Sequence, residues 1–354
     1  MLGSQYHFRD KVKVGILGAT GSVGQRFVEI LARHPWFEIT ALAASDRSTG
    51  KFYKDAVNWI LPESLPEDIG NMVLQPCLPN LPCSVAFSGL DTSIARDIES
   101  QFAAAGYMVV SNTSSHRMDK DVPLVVPEVN GSHLEMIHLQ STKGKIVTNP
   151  NCSVIGLTVA LKPLADLFGI ESVQVVTLQA ISGAGYPGVA SLDILDNAIP
   201  YISGEEEKLS CEPAKILGEY ANGKLVFSPL KISASCNRVP VNDGHLECVS
   251  VKLKTKASKQ DIIHAWQQFT SEVSELKLPT APSKPIYYFE QENYPQPKIH
   301  RHLDKGMAIS IGRLRDCPVL DYKFVLLSHN TIRGAAGGAI LSAEMMMRKG
   351  YIFW

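Results

Sequence analysis

Residues Gly15 to Phe27 read GILGATGSVGQRF, and this stretch predicts the fold of the first part of the chain. Lys11 to Leu17 (KVKVGIL) is typical of a buried strand, and Val23 to Ala32 has the apolar spacing of a helix. The turn between them carries three glycines at intervals of three residues. Such a turn lets a helix N-terminus, with its free N–H groups and partial positive charge, approach a pyrophosphate. The stretch therefore predicts a dinucleotide-binding site, although a tight turn without a ligand would need the same glycines.

Further strands follow at intervals expected of a doubly wound sheet. They are EITALAA (38–44), SVAFSGL (84–90), YMVVSN (107–112) and KIVTNP (145–150), with a helix, IARDIESQFAAAG, between the second and third of these. Strands that alternate with helices predict a parallel sheet. The predicted fold class is α/β, beginning with a Rossmann dinucleotide-binding domain.

The pattern changes after about residue 170, where the strands become longer and the helices fewer. The segments 172–182, 224–241 and 244–254 alternate apolar and polar residues, and DIIHAWQQFTSEV is a predicted helix. They predict a second, α+β domain built on a mixed sheet. The Pro- and Tyr-rich segment 278–300 is expected to form a long irregular arm, and residues 331–351 a small-residue helix.

The end of the second strand reads Ser45-Asp46-Arg47-Ser48, at the position that usually contacts the adenosine ribose. An acidic residue there binds the 2′-hydroxyl of NAD, whereas arginine and serine favour the 2′-phosphate of NADP. Asp46 leaves both cofactors open. Arg47 with Ser45 and Ser48 favours NADP.

The composition excludes several classes of partner. The 354 residues carry 34 basic and 35 acidic side chains, for a formal net charge of −1, so no basic footprint for nucleic acid or an anionic membrane is expected. No apolar run reaches the roughly 18 residues of a membrane span, and the first residues show no signal peptide. The seven cysteines form no C-x-x-C pair and their number is odd, which disfavours disulfides and zinc. We therefore expect a cytoplasmic protein without a metal.

The stretch VTNPNCSVIG, Val147 to Gly156, places a cysteine at the start of a predicted helix. Pro150 disfavours helix before it, and Asn151 or Ser153 is suited to cap the helix. A helix N-terminus stabilises the thiolate, the nucleophilic form of cysteine, and offers N–H groups to an oxyanion. Cys152 is thus a candidate nucleophile, although most cysteines are small buried residues.

The stretch NRVPVNDGHLE supplies a candidate carboxylate ligand and a candidate acid–base residue. Arg238 lies seven residues before His245, between two predicted strands, and a tight turn is expected to bring both side chains to one cleft. Arginine binds carboxylates with two hydrogen bonds, and histidine titrates near neutral pH.

The order of these motifs resembles that of the aspartate-semialdehyde dehydrogenases over essentially the whole chain. The lack of long insertions is more similar to the archaeal and fungal branch of that family. The resemblance implies a Rossmann domain of residues 1–151 and 331–354, a catalytic and dimerisation domain of residues 152–330, and a homodimer or homotetramer. The motifs that carry it are GATGSVGQ, SNTSSHRMDKDVPLVVPEVN, NPNCSVIG, QAISGAGYPG, GEEEKLSCEPAKIL, RVPVNDGHLE and NTIRGAAGGA.

The resemblance also implies a reaction, the NADPH-dependent reductive dephosphorylation of aspartyl 4-phosphate to aspartate semialdehyde and phosphate. This step lies on the route to lysine (through diaminopimelate), methionine and threonine. Cys152 would form an acyl thioester, His245 would be the acid–base residue, and Gln179 would orient the substrate or the cysteine. Arg238 would bind the substrate α-carboxylate.

The resemblance assigns the remaining contacts residue by residue. Glu205 would meet the substrate amino group, with the choice among the three glutamates 205–207 left open, and Lys208, Arg117 and Asn151 would hold the phosphate. The residues implied for the cofactor are Gly18, Thr20, Gly21, Ser22 and Val23 at the pyrophosphate, Ser45, Arg47 and Ser48 at the adenosine end, and Ser88, Ser182, Gly183 and Asn330 at the nicotinamide side.

Three alternative functions fit parts of this pattern. A malonyl-CoA or succinyl-CoA reductase on the same scaffold would keep the cysteine thioester and NADPH but offer no amino group to Glu205. An N-acetyl-glutamyl-phosphate reductase shares the mechanism, but SGAGYPG and RGAAGGA fit it less well. A non-catalytic NADP-binding protein would not require Cys152, His245, Arg238 and Gln179 in this order.

Overall fold

The computed structural model describes residues 11–352. The first ten residues, over which no signal peptide is expected, and the last two residues of the expected Rossmann domain lie outside this range. Within residues 11–352, no helix combines the length and apolar character needed to span a membrane.

The first sheet has the predicted parallel, doubly wound architecture. Its spatial order is β3-β2-β1-β4-β5-β6, and every neighbouring pair is parallel. The strand order reverses between β1 and β4, where the carboxyl ends of the strands open the crevice in which such sheets bind ligands. The strands are β1 (Val12–Leu17), β2 (Phe37–Ala44), β3 (Gln75–Pro76), β4 (Val85–Ser88), β5 (Met108–Ser111) and β6 (Lys145–Thr148).

The second sheet is mixed, as predicted, with the order β10-β7-β11-β14-β13-β12. The pairs β10–β7 and β12–β13 are parallel and the others antiparallel. A separate hairpin joins β8 to β9. The strands are β7 (Ile170–Gln179), β8 (Glu219–Ala221), β9 (Lys224–Val226), β10 (Lys231–Arg238), β11 (His245–Leu253), β12 (Ile286–Phe289), β13 (Ile309–Asp316) and β14 (Tyr322–Ser328).

Helices connect and cover these sheets. The longest, α6, packs its apolar residues on the second sheet, whereas α12 at the end of the chain packs on the first. The helices are α1 (Ser22–Leu31), α2 (Tyr53–Ala56), α3 (Glu67–Gly70), α4 (Thr92–Ala105), α5 (Pro127–Asn130), α6 (Cys152–Phe168), α7 (Ser191–Ile194), α8 (Glu205–Ile216), α9 (Lys259–Gln267), α10 (Glu272–Leu276), α11 (Pro297–His300) and α12 (Gly337–Arg348).

The turn expected between Arg238 and His245 is wrong in its topology. β10 and β11 are not neighbours, because β7 lies between them in the sheet. The connection crosses the end of β7, where Ile181 N–H donates to the Val241 carbonyl at 2.8 Å. Arg238 and His245 therefore flank the end of β7, and the cleft includes the last residue of that strand, Gln179.

Three other expectations need correction. Residues 224–241 are divided between β9 and β10, because Pro229 has no N–H to continue a ladder. The arm at 278–300 is not wholly irregular, since its apolar residues form β12 against β13. The terminal helix begins later than expected, at Gly337, and a wide π-type turn, Ile332–Ala336, precedes it.

Candidate active site

The register of the second sheet brings predicted site residues together at one end of its inner face. Arg238 at the end of β10 is paired with Gln179 at the end of β7, and His245 at the start of β11 is paired with Ser328 at the end of β14. All four side chains are buried. A buried polar row of this kind is stable only when its groups find partners. The partners come from helices α6 and α8.

Helix α6 begins at Cys152, and the residue before it, Asn151, caps the helix. The side-chain oxygen of Asn151 accepts from the backbone N–H groups of Ser153 (3.0 Å) and Val154 (3.4 Å). Asn151 is thus the N-cap. These bonds also use two N–H groups that the sequence suggested for an oxyanion, so the helix-start donor that remains for this role is the N–H of Cys152.

The half-buried Cys152 thiol contacts His245, with 3.2 Å between Sγ and Nε2. The other ring nitrogen, Nδ1, accepts the backbone N–H of Ala180 at 3.1 Å. Because Nδ1 must carry a lone pair there, the proton of the neutral ring lies on Nε2 and points to the sulfur. Burial lowers the pKa of His245 to about 3, which favours this neutral ring. The arrangement suits hydrogen-bond donation to a thiolate.

Opposing charges act on the Cys152 thiol. Burial, followed by the nearby Glu205 carboxylate, raises the pKa of Cys152 to about 12. Three cations, on Arg117, Arg238 and Lys208, act in the opposite direction. The α6 N-terminus and the Nε2–H of His245 also favour the anion. We therefore expect little thiolate in the resting site.

Glu205 is the acidic centre of the site. Its carboxylate accepts from Asn151 Nδ2 and Lys208 Nζ, both at 2.9 Å, and from Gln179 Nε2 at 3.2 Å. Burial alone would raise the pKa of Glu205, but these contacts, Lys208 first, lower it below its usual value. Glu206 instead accepts the Cys236 N–H, and Glu207 is exposed. This geometry favours Glu205 over its two neighbours.

The remaining predicted phosphate ligand, Arg117, lies in the loop after β5. Its Nη1 donates to Glu212 at 2.9 Å and its Nη2 to the Asn112 carbonyl at 2.9 Å. Its buried Nε has no hydrogen-bond partner among the residues of the described range. A buried, unpartnered guanidinium N–H costs free energy, so Arg117 keeps a donor for an anion.

The glycine turn fits a dinucleotide. Gly18 has φ +76°, and a Cβ there would lie 2.7 Å from the Gly89 carbonyl oxygen; a Cβ on Gly24 would lie 2.2 Å from that of Gly18. Gly21 caps α1 without a side-chain hydrogen bond, so no capping side chain takes the first N–H groups of the helix. A cleft of about 1550 Å³ opens here, lined by Ser22 on one side and Ser182 on the other.

The other residues predicted for the cofactor are not part of the lining of this cleft. Asn330 Nδ2 donates to Ser182 Oγ at 2.8 Å, and Gly183 packs so closely that a Cβ would lie 2.9 Å from Arg238 Nη1. Ser45, Arg47 and Ser48 form a turn after β2, in which the Ser48 N–H donates to the Ser45 carbonyl. The Ser88 hydroxyl, by contrast, is fully buried and donates to Glu99 at 2.6 Å. The hydroxyl predicted for the nicotinamide side is therefore already hydrogen-bonded within the core.

Four further residues of the site were not singled out from the sequence. Gly334 lies against the backbone of Cys152, and Glu212 and Lys215 hold the loop of Arg117. Glu247 is buried in the row beneath His245. Glu212 and Lys215 could have been found from the sequence, because their spacing places them on the same helix face as Glu205 and Lys208. No sequence pattern indicates Gly334 or Glu247. Over residues 11–352, no group of three His, Cys, Asp or Glu side chains is arranged to hold a metal.

Glu247 lies between sheet and helix with neither carboxyl oxygen hydrogen-bonded within the described part of the chain. Burial, and secondarily the Glu205 charge, raises the pKa of Glu247 well above its usual value. When folding raises the pKa of a carboxyl group, the free energy of unfolding of the protein falls as the pH rises from the unfolded pKa toward the folded pKa. We expect Glu247→Gln to raise Tm by about 2 °C or more at pH 8 and by much less at pH 5.

Thermal unfolding of the wild type, of Glu247→Gln and of a control variant, Glu207→Gln, at pH 5 and pH 8 measures this effect. Glu207→Gln removes an exposed carboxylate from the same protein and is expected to leave Tm nearly unchanged at either pH. An equal change in the Tm of Glu247→Gln at pH 5 and pH 8, or a Tm below that of wild type at pH 8, would contradict the prediction that Glu247 is a buried acid with a raised pKa.

A nucleotide-type sheet beside a Cys–His pair at a helix start defines a cysteine-dependent oxidoreductase that forms a covalent intermediate. Comparisons with known proteins agree. Residues 13–137 match the family model "Semialdehyde dehydrogenase, NAD binding domain", and residues 161–333 match "Semialdehyde dehydrogenase, dimerisation domain".

Individual relatives match nearly the whole chain. The aspartate-semialdehyde dehydrogenase of Archaeoglobus fulgidus is 46% identical over 347 residues, with 97% of this chain and 100% of that protein covered. That of Candida albicans is 48% identical over 361 residues, with 96% and 99% covered. The crystal structure of the C. albicans enzyme with NADP superposes with a TM-score of 0.89 at 46% identity, covering 97% of this chain and 100% of that one. The chain belongs to the aspartate-semialdehyde dehydrogenase family, and the predicted family, branch and fold are confirmed.

Proposed function

We propose that Cys152, His245 and the buried residues around them carry out the reductive dephosphorylation of L-aspartyl 4-phosphate to L-aspartate 4-semialdehyde. The observation that carries this proposal is the 3.2 Å contact between Cys152 Sγ and His245 Nε2 at the start of α6. It places a nucleophile, a hydrogen-bond donor and a helix N-terminus at one point, next to a glycine turn suited to a dinucleotide.

The activity and the cofactor predicted from the sequence are confirmed at the level of the family. The chain is an NADP-dependent enzyme of amino-acid biosynthesis, and relatives of 44–48% identity carry the aspartate-semialdehyde dehydrogenase name. The C. albicans relative was solved with NADP. The type II enzyme of Vibrio cholerae, with a TM-score of 0.76 at 27% identity, was solved in complex with ASA.

In the first step the Cys152 sulfur attacks the acyl phosphate carbon, a C–S bond forms, the C–O bond to phosphate breaks, and the thiol proton passes to the leaving phosphate; the thiolate released in the second step regains a proton from solvent. His245 donates its Nε2–H to the sulfur before attack and to the carbonyl oxygen as negative charge develops there. The phosphate leaves toward Lys208 and the free Nε–H of Arg117. Arg238 would hold the α-carboxylate and Glu205 the ammonium group of the substrate.

In the second step the bound NADPH supplies the hydride that reduces the thioester. The C–S bond of the resulting tetrahedral adduct breaks and releases the aldehyde and the Cys152 thiolate. No proton needs to pass through His245, because the proton consumed overall ends on the released phosphate. We expected His245 to act as an acid–base residue. Because its Nδ1 accepts the Ala180 N–H, we propose that His245 keeps its proton on Nε2 and donates a hydrogen bond to the sulfur and to the oxyanion.

The residues that would hold NADPH follow strands of both sheets. Backbone groups from Thr20 to Val23 would bind the pyrophosphate, with Gly18 leaving room for it, and Arg47 with its flanking serines would bind the 2′-phosphate. Ser182, Gly183 and Asn330 would position the nicotinamide side, since Gly183 adjoins Arg238 and His245. A Cβ on Gly185 would lie 3.9 Å from Ser22 Oγ, so the two sides approach each other closely.

An assay in the oxidative direction tests the substrate. Purified protein with phosphate, NADP and L-aspartate 4-semialdehyde is expected to form NADPH, followed at 340 nm, at a rate that depends on phosphate. The competing substrate class, malonyl-CoA with NADPH, is assayed in parallel, because a CoA thioester has no ammonium group to pair with Glu205. Activity on malonyl-CoA alone would overturn the roles of Glu205 and the phosphate pocket while keeping Cys152 as nucleophile.

We propose that the chain forms a homodimer through the part that matches a dimerisation domain. Several apolar side chains there are exposed, among them Leu192 at 93% and Val226 at 68%. We expect the dimer interface to cover some of these side chains. Light scattering of the purified protein distinguishes a dimer from a tetramer, and a monomer would exclude both.

The domain division and the location of the protein also belong to this proposal. Residues 1–151 and 331–354 would form the Rossmann domain and residues 152–330 the catalytic domain, and the burial of α12 in the core of the first sheet supports this division. Limited proteolysis tests it. The seven free thiols support a cytoplasmic location, which cell fractionation tests.

A further inference from the structure

Helix α8 carries two charged pairs on one face, and only the first pair faces the substrate. Glu205, Lys208, Glu212 and Lys215 follow at intervals of three, four and three residues, which places them along one side of the helix. Glu212 and Lys215 are the more deeply buried pair, with 2% and 1% exposure. Buried charges are expensive unless they are paired, so their partners indicate what they do.

The carboxylate of Glu212 joins two separate parts of the phosphate site. Oε1 accepts from Nη1 of Arg117 at 2.9 Å, and Oε2 accepts from the backbone N–H of Asn151 at 2.7 Å. Arg117 follows β5, whereas Asn151 follows β6 and immediately precedes the nucleophile. One side chain therefore sets the distance between the guanidinium that would receive the phosphate and the residue that caps the nucleophile's helix.

Lys215 holds the backbone of the same loop. Its ammonium group donates to the carbonyls of Arg117 (2.7 Å), Asp119 (2.8 Å) and Val122 (2.8 Å). An ammonium group has three N–H donors, so all are used. The loop has no regular secondary structure of its own between β5 and α5. Lys215 thus fixes the main chain of Arg117, and Glu212 fixes its side chain.

We propose that Glu212 is a positioning residue of the phosphate site, which aligns the Arg117 guanidinium with the start of α6 so that the leaving phosphate and the Cys152 sulfur keep a fixed separation. The proposal rests on the proposed function, because it assigns phosphate to Arg117. Glu212 and the Asn112 carbonyl each take one N–H of Arg117, so the guanidinium keeps unused donors for the ligand, that of the unpartnered Nε among them. Glutamine at position 212 cannot accept both contacts, because its amide nitrogen would oppose one of the two donors.

Steady-state kinetics in the oxidative direction test this role. Glu212→Gln is expected to raise the KM for phosphate about tenfold or more, as expected when a charge-assisted contact that orients a ligand group is lost, and to change the KM for aspartate semialdehyde less than about threefold. Glu212→Asp, which keeps a carboxylate, should recover part of the loss. Glu207→Gln, the same change at an exposed position of α8, should behave as wild type.

The outcomes separate the inference from the proposed function. An unchanged KM for phosphate in Glu212→Gln, or a fall in kcat with no change in that KM, overturns the positioning role. If the wild type forms no NADPH with phosphate and semialdehyde, the proposed function has failed, and the phosphate pocket is measured without turnover. Inorganic phosphate should then protect Cys152 from iodoacetamide, followed by mass spectrometry, and Glu212→Gln must need about tenfold more phosphate for half protection, or the inference fails as well.

Discussion

Cys152→Ser is expected to lower phosphate-dependent NADPH formation by about 10⁴-fold or more, the scale of loss when a covalent nucleophile is removed. The serine hydroxyl keeps the approximate size of the side chain and its contact with His245, but its pKa is far above that of a thiol, and the thioester whose carbonyl carbon accepts the hydride cannot form. The Kd for NADPH, measured by the fluorescence of NADPH, should remain within about twofold of wild type, because the glycine turn follows β1 whereas Cys152 begins α6.

The matched control for this change is Cys317→Ser. Cys317 lies just after β13, and its sulfur accepts the Leu320 N–H at 3.4 Å, which a serine oxygen can also accept. We expect full activity in this variant. Activity of Cys152→Ser within about tenfold of wild type would show that the reaction does not pass through a thioester on this residue, and it would revive the non-catalytic and non-covalent alternatives.

The local features of the fold could be predicted from the sequence. The strands and α1 around the glycine turn follow from their apolar spacing, and Pro150 with Asn151 marked the start of α6 within one residue. The same holds for the candidate chemistry, since Cys152 and His245 stand beside short motifs. Each of these signals depends on residues that are close together in the chain.

Pairings between distant segments could not be predicted in this way. The order β10-β7-β11 separates Arg238 from His245 by a strand that precedes both in sequence. The Ser88 hydroxyl is taken by Glu99 on α4, and no pattern near Ser88 announces that partner. Glu212 lies 61 residues from Asn151 and 95 from Arg117, so its double contact exists only once both sheets have formed.

Gly334→Ala is expected to lower kcat by about 100-fold, because it adds a methyl group where the nucleophile stands. A Cβ at this position would lie 2.8 Å from Cys152 Cβ and 2.9 Å from both its Cα and its carbonyl oxygen. These atoms belong to a helix start that is fixed by Asn151, so they cannot move aside as a flexible side chain would. A displacement of about 1 Å at a reacting group costs about 100-fold in rate.

The matched control is Gly70→Ala, where the added Cβ would meet only side-chain atoms, of Leu65 at 3.3 Å and Lys54 at 3.5 Å. That variant should keep wild-type kcat. Thermal unfolding of both variants separates misplacement from loss of fold: Gly334→Ala should unfold cooperatively and still bind NADPH while its kcat falls. A kcat within about twofold of wild type would mean that the turn Ile332–Ala336 yields to the methyl group. Because 182 residues separate Gly334 from Cys152, the effect depends on the folded contact between the two segments, and the variant tests that contact directly.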